Sequence, residues 1–282
     1  MIIDSHCHAW ARWPYQPPVP DFEQRGVLEQ LLFEMDANSV DRALIVCAQI
    51  DHNPDNNAYV AERITHYPGR FDLVADVDCA WSETYHQPGA ADRLRQAARW
   101  PIKGITHYLR PEDDGAWFSS AEGMAFFQAA VDLRLIASIS CQPTQLPAIR
   151  EVARRFPELP ILLHHLGHPK ASEPPPYPNF QEILACARLP NMFIKLSGFA
   201  YATSVDWNFP YADTHWLVRA EYEHFGPQHL CWGSDYPVVR RFMTYRQSLE
   251  AFRTHCDFIP DADKAWILGQ TLDTLLRAAR AV

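Results

Sequence analysis

The chain has 282 residues, of which 48% are hydrophobic and 21% are charged, and its formal net charge is −9. This composition is that of a globular protein and excludes disorder. An acidic chain without a lysine or arginine run is not built to neutralise nucleic-acid phosphates, and no apolar run reaches the roughly 18 residues that a transmembrane helix needs. We therefore expect neither a nucleic acid nor a membrane as a partner.

The N-terminus and the cysteines indicate the cytoplasm. The first residues, Met-Ile-Ile-Asp-Ser-His, lack the basic and apolar segments of a signal peptide. Seven cysteines are scattered along the chain without close pairs, which is no disulfide framework. We expect reduced thiols in a cytoplasmic protein.

Short apolar, β-branched runs alternate along the chain with longer amphipathic runs. In chain order, the predicted strands are Met1–His8, Arg42–Ala48, Phe71–Asp78, Ile102–Tyr108, Leu135–Cys141, Ile161–His165, Met192–Ser197 and His229–Ser234. Several are nearly continuous hydrophobic runs, as Ala43–Cys47 is, which is typical of parallel strands covered on both faces.

Helical patterns fill the intervals between these runs. They cover Val27–Ser39, Asn56–Tyr67, Ala90–Trp100, Ala121–Leu133, Gln145–Phe156, Phe180–Arg188, Ala212–Phe225, Thr244–Cys256 and, last, Asp263–Ala281. Eight β-then-α units predict an α/β fold of the (β/α)8 TIM barrel type, with an extra C-terminal helix that caps the barrel. The alternative is a doubly wound open sheet, but the Gly-x-Gly-x-x-Gly turn usual in such sheets is absent.

Two proline-rich stretches, Trp13–Pro20 and Pro169–Pro178, follow predicted strand ends. Each is typical of a long loop, although the second could also be a domain boundary. The sequence thus predicts a single barrel domain over residues 1–282. It says nothing about oligomeric state, so a homo-oligomer is left open.

Polar residues collect where predicted strands end, and this is where barrel enzymes carry their chemistry. The three polar strand ends are His6-Cys7-His8, His164-His165 and Ser234-Asp235. Side chains alternate across a strand, so His6 and His8 point to the same side. Two imidazoles converging at a barrel mouth suit Zn, Mn, Fe or Ni. The alternative is one core histidine and one loop histidine.

Four motifs together resemble the amidohydrolase superfamily. They are Asp4-Ser5-His6-Cys7-His8, His165-Leu166-Gly167-His168-Pro169, Lys195-Leu196-Ser197-Gly198 and Gly233-Ser234-Asp235-Tyr236-Pro237. They span essentially the whole chain, in the right order. More narrowly, they resemble the amidohydrolase-related branch, which includes 2-pyrone-4,6-dicarboxylate lactonase, sugar-acid lactonases and, further off, decarboxylases.

The resemblance implies roles for four residues. His6 and His8 match the paired histidines of strand 1. His165 matches the histidine of the strand 6 motif, and Asp235 matches the aspartate of strand 8. By this resemblance Asp235 is the catalytic base and acid, His165 supports catalysis, and the four residues hold a metal ion.

Two departures from the family pattern limit the metal content. Lys103 lies at the start of strand 4, far from the mouth, where binuclear members have a bridging lysine at the strand end. Strand 5 ends in Cys141-Gln142 rather than in a histidine. We therefore expect at most one divalent metal ion, Zn or Mn, and leave metal-free catalysis open because the lactonases of this branch differ on this point.

His164 competes with His165 for the site. Adjacent residues of a strand face opposite sides, so we expect only one of them to enter the barrel. The motif register favours His165, and His164 would then point toward the surrounding helices as a core histidine.

Cationic and hydrogen-bonding residues follow several strand ends. The predicted substrate-binding residues are His107, Arg110, Gln142, Lys195, Tyr236, Arg240 and Arg241. Arginine binds a carboxylate through two parallel hydrogen bonds, so cations gathered at the rim of an acidic protein indicate a small anionic organic substrate. For any single arginine, an ordinary surface role is the alternative.

These features predict a hydrolase that opens a carboxylated lactone. Activated water attacks the carbonyl, Asp235 moves the proton, and the three histidines hold a metal or polarise the carbonyl. The alternative is a metal-dependent decarboxylase of a carboxylated aromatic or muconate-type compound. A silent barrel that only binds is a third reading, which the intact His and Asp set disfavours.

Overall fold

The computed structural model describes residues 1–15 and 21–280 and contains a ring of eight parallel strands. The strands are β1 Ile3–Cys7, β2 Arg42–Val46, β3 Phe71–Asp76, β4 Ile102–Tyr108, β5 Ile136–Ser140, β6 Ile161–Leu163, β7 Met192–Leu196 and β8 Leu230–Trp232. They pair in chain order, β1 to β8. A bridge between Cys7 and Tyr236 joins the first and last strands.

Helices follow the strands around the outside of this ring. They are α1 Leu28–Ala37, α2 Asn56–Arg63, α3 Ala90–Ala97, α4 Ala121–Asp132, α5 Leu146–Arg155, α6 Pro178–Leu184, α7 His215–Phe225, α8 Tyr245–Arg253, α9 Asp261–Ala265 and α10 Thr271–Ala278. Single-turn helices lie at Phe22–Arg25, Ala116–Ser119 and Phe199–Ala202.

The predicted (β/α)8 barrel is confirmed, and the open-sheet alternative is excluded because the strands close into a ring. The last helix begins at Asp261, two residues earlier than predicted, and a π-helical turn at Trp266–Gln270 divides it. Its predicted end at residue 281 and part of the predicted Trp13–Pro20 loop lie outside the described residues.

The C-terminal helix caps the N-terminal end of the barrel, as predicted. Leu272, Leu275 and Leu276 pack in one apolar cluster with interior side chains from seven of the strands, Ile3, Leu44, Val46, Val74, Ile136, Leu162, Phe193 and Cys231. The side chain of Lys103 donates to the carbonyl of Arg280 at 2.7 Å, which ties the chain end to β4. This apolar floor closes one end and leaves the other for chemistry.

All seven cysteines are buried and free. The loop that contains Pro169–Pro178 has no helix or strand until α6 begins at its last residue. Within the described residues, we find no helix that is both long and apolar enough to cross a bilayer.

Leu276→Ala should lower the free energy of unfolding by about 2–5 kcal/mol, because it leaves a cavity in the apolar floor. Urea denaturation followed by circular dichroism measures this change. Arg277→Ala is the matched control on the same helix, since 77% of its side chain is exposed, and it should change stability by less than about 0.5 kcal/mol. Equal losses in both variants would contradict the packing of α10 into the barrel.

Candidate active site

A β-bulge in strand β1 aims its two histidines into the barrel. The pairing of β1 with β2 shifts register between Asp4 and Cys7. Ile3 belongs to the interior cluster, whereas Cys7 packs in the outer layer between strands and helices. Without the extra residue, Ile3 and Cys7 would face the same side. The bulge reverses the alternation, so that His6 and His8 face inward.

The seam between the first and last strands places Asp235 beside these histidines. The amide of Asp235 donates to the carbonyl of His6 at 2.7 Å, and the amide of His8 donates to the carbonyl of Tyr236 at 2.6 Å. The carboxylate of Asp4 accepts from the amide and hydroxyl of Ser234, at 2.9 and 2.5 Å. The hydrogen bonds that close the ring therefore also assemble the site.

Three imidazoles converge on one buried carboxylate oxygen. The Nε2 atoms of His6, His8 and His165 lie 3.5, 3.6 and 4.0 Å from Asp235 Oδ1. All four side chains are buried. Two ligands that each lie about 2 Å from one ion are separated by distances of this order.

The second ring nitrogen of each histidine already has a neighbour. His8 Nδ1 donates to the carbonyl of Val46 at 2.7 Å, so its Nε2 presents a lone pair to Asp235. His165 Nδ1 lies 3.0 Å from Ser197 Oγ, and His6 Nδ1 lies 3.3 Å from Lys195 Nζ. The hydrogen bond from His8 to a backbone carbonyl is the outer contact typical of a metal-bound histidine.

The donor set fits a divalent cation. His6 Nε2 is buried and has no hydrogen-bond partner in the described part of the chain. Because His8 donates at Nδ1, its Nε2 lone pair faces the carboxylate of Asp235, and the two repel each other unless a positive charge lies between them. One ligand atom each from His6, His8 and Asp235 lie within 4.8 Å of one another, and the same holds for His6, His164 and His165.

Burial and neighbouring charges hold the site in one protonation state. Burial lowers the pKa of His6 and of His165 well below 6.5, which keeps both imidazoles neutral. Burial alone raises the pKa of Asp235, but the neighbouring His165 and His8 and the hydrogen bond from Tyr201 outweigh burial and hold the pKa below its ordinary value. Neutral imidazoles beside an ionised carboxylate are the state that binds a metal ion.

Both adjacent histidines enter the site, so the expectation that His164 faces the helices is wrong. The ring centroid of His164 lies 4.4 Å from that of His6, and that of His165 lies 4.5 Å away. Strand β6 ends at Leu163, and His165 has a φ of 49°, in the left-handed region. The alternation rule fails here because the chain turns between the two residues.

Lys195, predicted to bind substrate, lies beneath the histidines instead of at the rim. Its side chain is fully buried, and Nζ donates to Ser138 Oγ at 2.7 Å. Burial lowers the pKa of this amine to about 7. Lys195 therefore supports His6 from below.

His107, also predicted to bind substrate, points out of the barrel. Its ring stacks near Trp117, and its Nε2 lies 3.1 Å from that of His86. The next residue, Tyr108, faces inward with its ring 5.0 Å from that of His164. The alternation of side chains along β4 predicts this. Gly104 faces the barrel interior, beside Val74, so Tyr108, four residues later, also faces inward and His107 faces outward.

Tyr236 and Arg110 lie away from the histidines. The Tyr236 ring packs edge-on against Tyr245 in the outer layer, and its hydroxyl donates to the carbonyl of Arg25.

Arg110 is exposed, stacks on Tyr85 and donates to the carbonyl of Ala80 at 3.0 Å. Strand-end position in the sequence does not fix the direction of a long side chain.

Arg240 and Arg241 are both exposed. Arg240 lies beside Tyr236, whose pKa its charge lowers against the larger effect of burial. Arg241 lies 5.9 Å from the ring of Tyr15. Tyr15 in turn is near enough to Asp235 for the carboxylate to raise its pKa further than burial does alone. Of the two arginines, Arg241 is therefore the one on the site side.

A cavity of about 520 Å³ opens beside the site, and the predicted Gln142 is one of its wall residues. Its walls also include His168 and Lys170. The His168 ring lies 5.3 Å from that of His165, and Lys170 Nζ donates to the carbonyl of Tyr201 at 2.6 Å. The cavity has the size of a small-molecule site. No pattern in the sequence marked Lys170 or His168 as wall residues.

A further residue reaches Asp235 directly. The hydroxyl of Tyr201 donates to Asp235 Oδ2. Tyr201 follows the Lys-Leu-Ser-Gly motif by three residues, and the short helix Phe199–Ala202 turns its side chain back toward β8.

The family model described as "Amidohydrolase" matches residues 3–271 of the chain. The chain belongs to the amidohydrolase family. The superfamily assignment made from the four motifs is thus confirmed, and the matched residues include the whole histidine and aspartate site.

Two curated relatives are lactone hydrolases. An L-fucono-1,5-lactonase of Burkholderia ambifaria is 27% identical over 251 residues, which cover 84% of this chain and 81% of the relative. A 4-sulfomuconolactone hydrolase of Hydrogenophaga intermedia is 26% identical over 275 residues, which cover 93% of this chain and 83% of the relative. Together with the family, they support a hydrolase, most simply a lactonase.

A solved amidohydrolase of Burkholderia multivorans with bound zinc has the same fold. It superposes with a TM-score of 0.77 at 22% identity, covering 98% of this chain and 99% of that one.

The free energy of unfolding should fall as the pH drops below about 6.5. Burial lowers the pKa values of five histidines, to about 4 for His107 and His168 and well below 6.5 for His6, His164 and His165. Below pH 6.5 the unfolded chain therefore binds more protons than the folded one, and stability is lost. Asp4, Asp76 and Glu221 act in the opposite direction, because burial raises their pKa values, to about 6 for Asp4, but three carboxyl groups do not offset five histidines.

Urea denaturation of chelated protein at pH 7 and pH 5.5 measures this dependence. Between pH 7 and pH 5.5, each of these histidines should lower the free energy of unfolding by about 1 kcal/mol. A free energy of unfolding that is equal at the two pH values would contradict the burial of neutral imidazoles.

Proposed function

We propose that this amidohydrolase opens a small lactone by attack of water on the ring carbonyl. The observation that carries this proposal is the convergence of three imidazole Nε2 atoms on the buried carboxylate of Asp235. The two lactone-hydrolysing relatives support it. A buried base beside groups that stabilise negative charge is what hydrolysis of a cyclic ester requires.

We assign to His6, His8, His165 and Asp235 the binding of one divalent cation, Zn or Mn. Imidazole and carboxylate ligands suit both metals, and the partnerless Nε2 of His6 has no other function within the described residues. When bound, such an ion supplies Lewis acidity to the carbonyl group.

Asp235 moves the proton in this scheme. Its carboxylate takes a proton from the attacking water as the water oxygen bonds to the carbonyl carbon. The ring C–O bond then breaks, and Asp235 gives the proton to the leaving alkoxide oxygen. The hydroxyl of Tyr201 donates to Oδ2 and fixes the orientation of the carboxylate.

The cavity beside the site gives the substrate its remaining contacts. Lys170 is the cation among its wall residues, and Gln142 and Asn179 add amide donors, while the carboxylate of Glu173 already accepts from the amides of Asn179 and Phe180. Such walls fit a lactone with a carboxylate or hydroxyl groups on the part that does not react. We place the anionic group of the substrate here, rather than at the outward-facing Arg110.

Asp235→Asn should reduce kcat by at least about 10²-fold, because the amide cannot accept a proton from water. Stopped assays of lactone opening measure the loss, and urea denaturation checks that the fold persists. Asp72→Asn is the control, since Asp72 is a carboxylate at the opposite end of the barrel, where it pairs with Arg42. An Asp235→Asn enzyme that keeps more than a tenth of the wild-type kcat would rule out the assigned role.

Metal-analysed protein should lose turnover on chelation and regain it with Zn or Mn. The assay is a pH-indicator screen of carboxylated pyrone, muconate and sugar-acid lactones, with neutral lactones alongside. Full turnover in metal-free protein would instead assign carbonyl polarisation to the histidines. Carbon dioxide release from carboxylated aromatics without opening of any lactone would favour the decarboxylase alternative.

A further inference from the structure

A chain of buried hydrogen bonds lies directly beneath the proposed metal ligands. Lys195 Nζ is 2.7 Å from Ser138 Oγ, and Ser138 Oγ is 2.6 Å from His164 Nε2. All three side chains are buried, and they come from β7, β5 and the end of β6. They form a polar layer between the apolar floor and the site.

The directions of these hydrogen bonds determine which nitrogen of His164 carries the hydrogen. Lys195 donates to Ser138 Oγ, so the single hydroxyl hydrogen of Ser138 needs another acceptor. Within the described residues, the one acceptor in contact with it is His164 Nε2. A neutral imidazole that accepts at Nε2 carries its hydrogen on Nδ1.

The resulting N–H donor has no partner. His164 Nδ1 is buried and forms no hydrogen bond within the described residues. Buried donors are nearly always paired in folded proteins. The ring lies 4.4 Å from that of His6, 5.0 Å from that of Tyr108 and 5.7 Å from that of His165. His6 Nε2, which faces Asp235, is likewise buried and has no hydrogen-bond partner among the described residues. An atom of the proposed reacting centre is therefore as covered as His164 Nδ1 is.

We propose that His164 is a further catalytic residue, whose Nδ1–H donates a hydrogen bond to the oxygen of the lactone carbonyl. The assignment rests on the proposed lactonase function. As water attacks, negative charge develops on that oxygen, and a fixed donor stabilises it more than it stabilises the uncharged substrate. The hydrogen remains on His164 throughout, so proton transfer is left to Asp235.

The direction of the Ser138 hydrogen bond also distinguishes two roles for His164, that of a hydrogen-bond donor and that of a metal ligand. A ring nitrogen that carries a hydrogen cannot bind a metal ion, so the alternative set of His6, His164 and His165 would require the opposite tautomer. The Lys195–Ser138–His164 chain favours the donor.

The test compares two substitutions of His164 in the full chain. His164→Leu removes the donor and should lower kcat about 10²–10³-fold, the usual effect of losing one such donor, while KM changes less than about threefold. His164→Asn places an amide N–H near the position of Nδ1 and should retain kcat within about tenfold. Metal content, measured by plasma mass spectrometry, should equal that of the wild type in both variants.

Thr106→Val is the matched control. Thr106 pairs with Ser138 across β4 and β5, and its buried hydroxyl also has no partner in residues 1–15 and 21–280. Its loss should leave kcat unchanged, which would separate the effect of His164 from general disturbance of the polar layer.

Nitrogen-15 spectra of the wild type provide a readout that does not depend on turnover. They should show His164 with its hydrogen on Nδ1, and Ser138→Ala should allow the other tautomer and lower kcat. These two measurements keep the proposal testable if His164→Leu fails to fold.

Three results would overturn the assignment. They are an active His164→Leu enzyme with kcat within threefold of the wild type, loss of the metal ion in that variant, and a hydrogen on Nε2 in the wild type. If the wild type opens no lactone, the proposed function itself fails, and the role of His164 falls with it. An active wild type with an unaffected His164→Leu variant refutes the role of His164 alone.

Discussion

The structure depends on closing a parallel barrel around a buried carboxylate that faces three imidazoles. The same two amides that join the first and last strands, those of His8 and Asp235, also bring His6, His8 and Asp235 together. A barrel without that seam would leave the groups on two separate edges. The hydroxyl of Tyr201, which donates to Asp235 Oδ2, offsets part of the electrostatic cost of burying this carboxylate.

The barrel interior has three layers with different physical tasks. At the N-terminal end, aliphatic side chains and α10 form a dry floor that excludes water. Above it, Lys195, Ser138 and His164 are polar but hydrogen-bonded to one another. His6, His8, His165 and Asp235 form the third layer, at the C-terminal end of the strands. Each layer limits the freedom of the next, and rigid support of this kind holds reacting groups in place before the substrate arrives.

The elements and the four metal-ligand candidates were predictable because they depend on local patterns. Apolar runs identified the strands, and the motifs around His6, His8, His165 and Asp235 identified the proposed ligands. The predictions for His107 and His164 were wrong for local geometric reasons. The parity of β4 turns His107 outward, and the positive φ of His165 lets His164 enter beside it. Arg110 could not be placed, because a long flexible side chain stacks on whichever ring lies near, here Tyr85.

The sequence by itself determined the barrel, its family and the residues at its strand ends, since periodicity and motifs are properties of neighbouring residues. Only the tertiary structure decided which ring nitrogens face Asp235, that Lys195 lies beneath the site, and that Tyr201 reaches the carboxylate. These facts depend on contacts between residues far apart in the chain, such as His6 and Lys195. Their geometry is set by strand register, by one β-bulge and by the turn after β6, none of which has a signature in residue order alone.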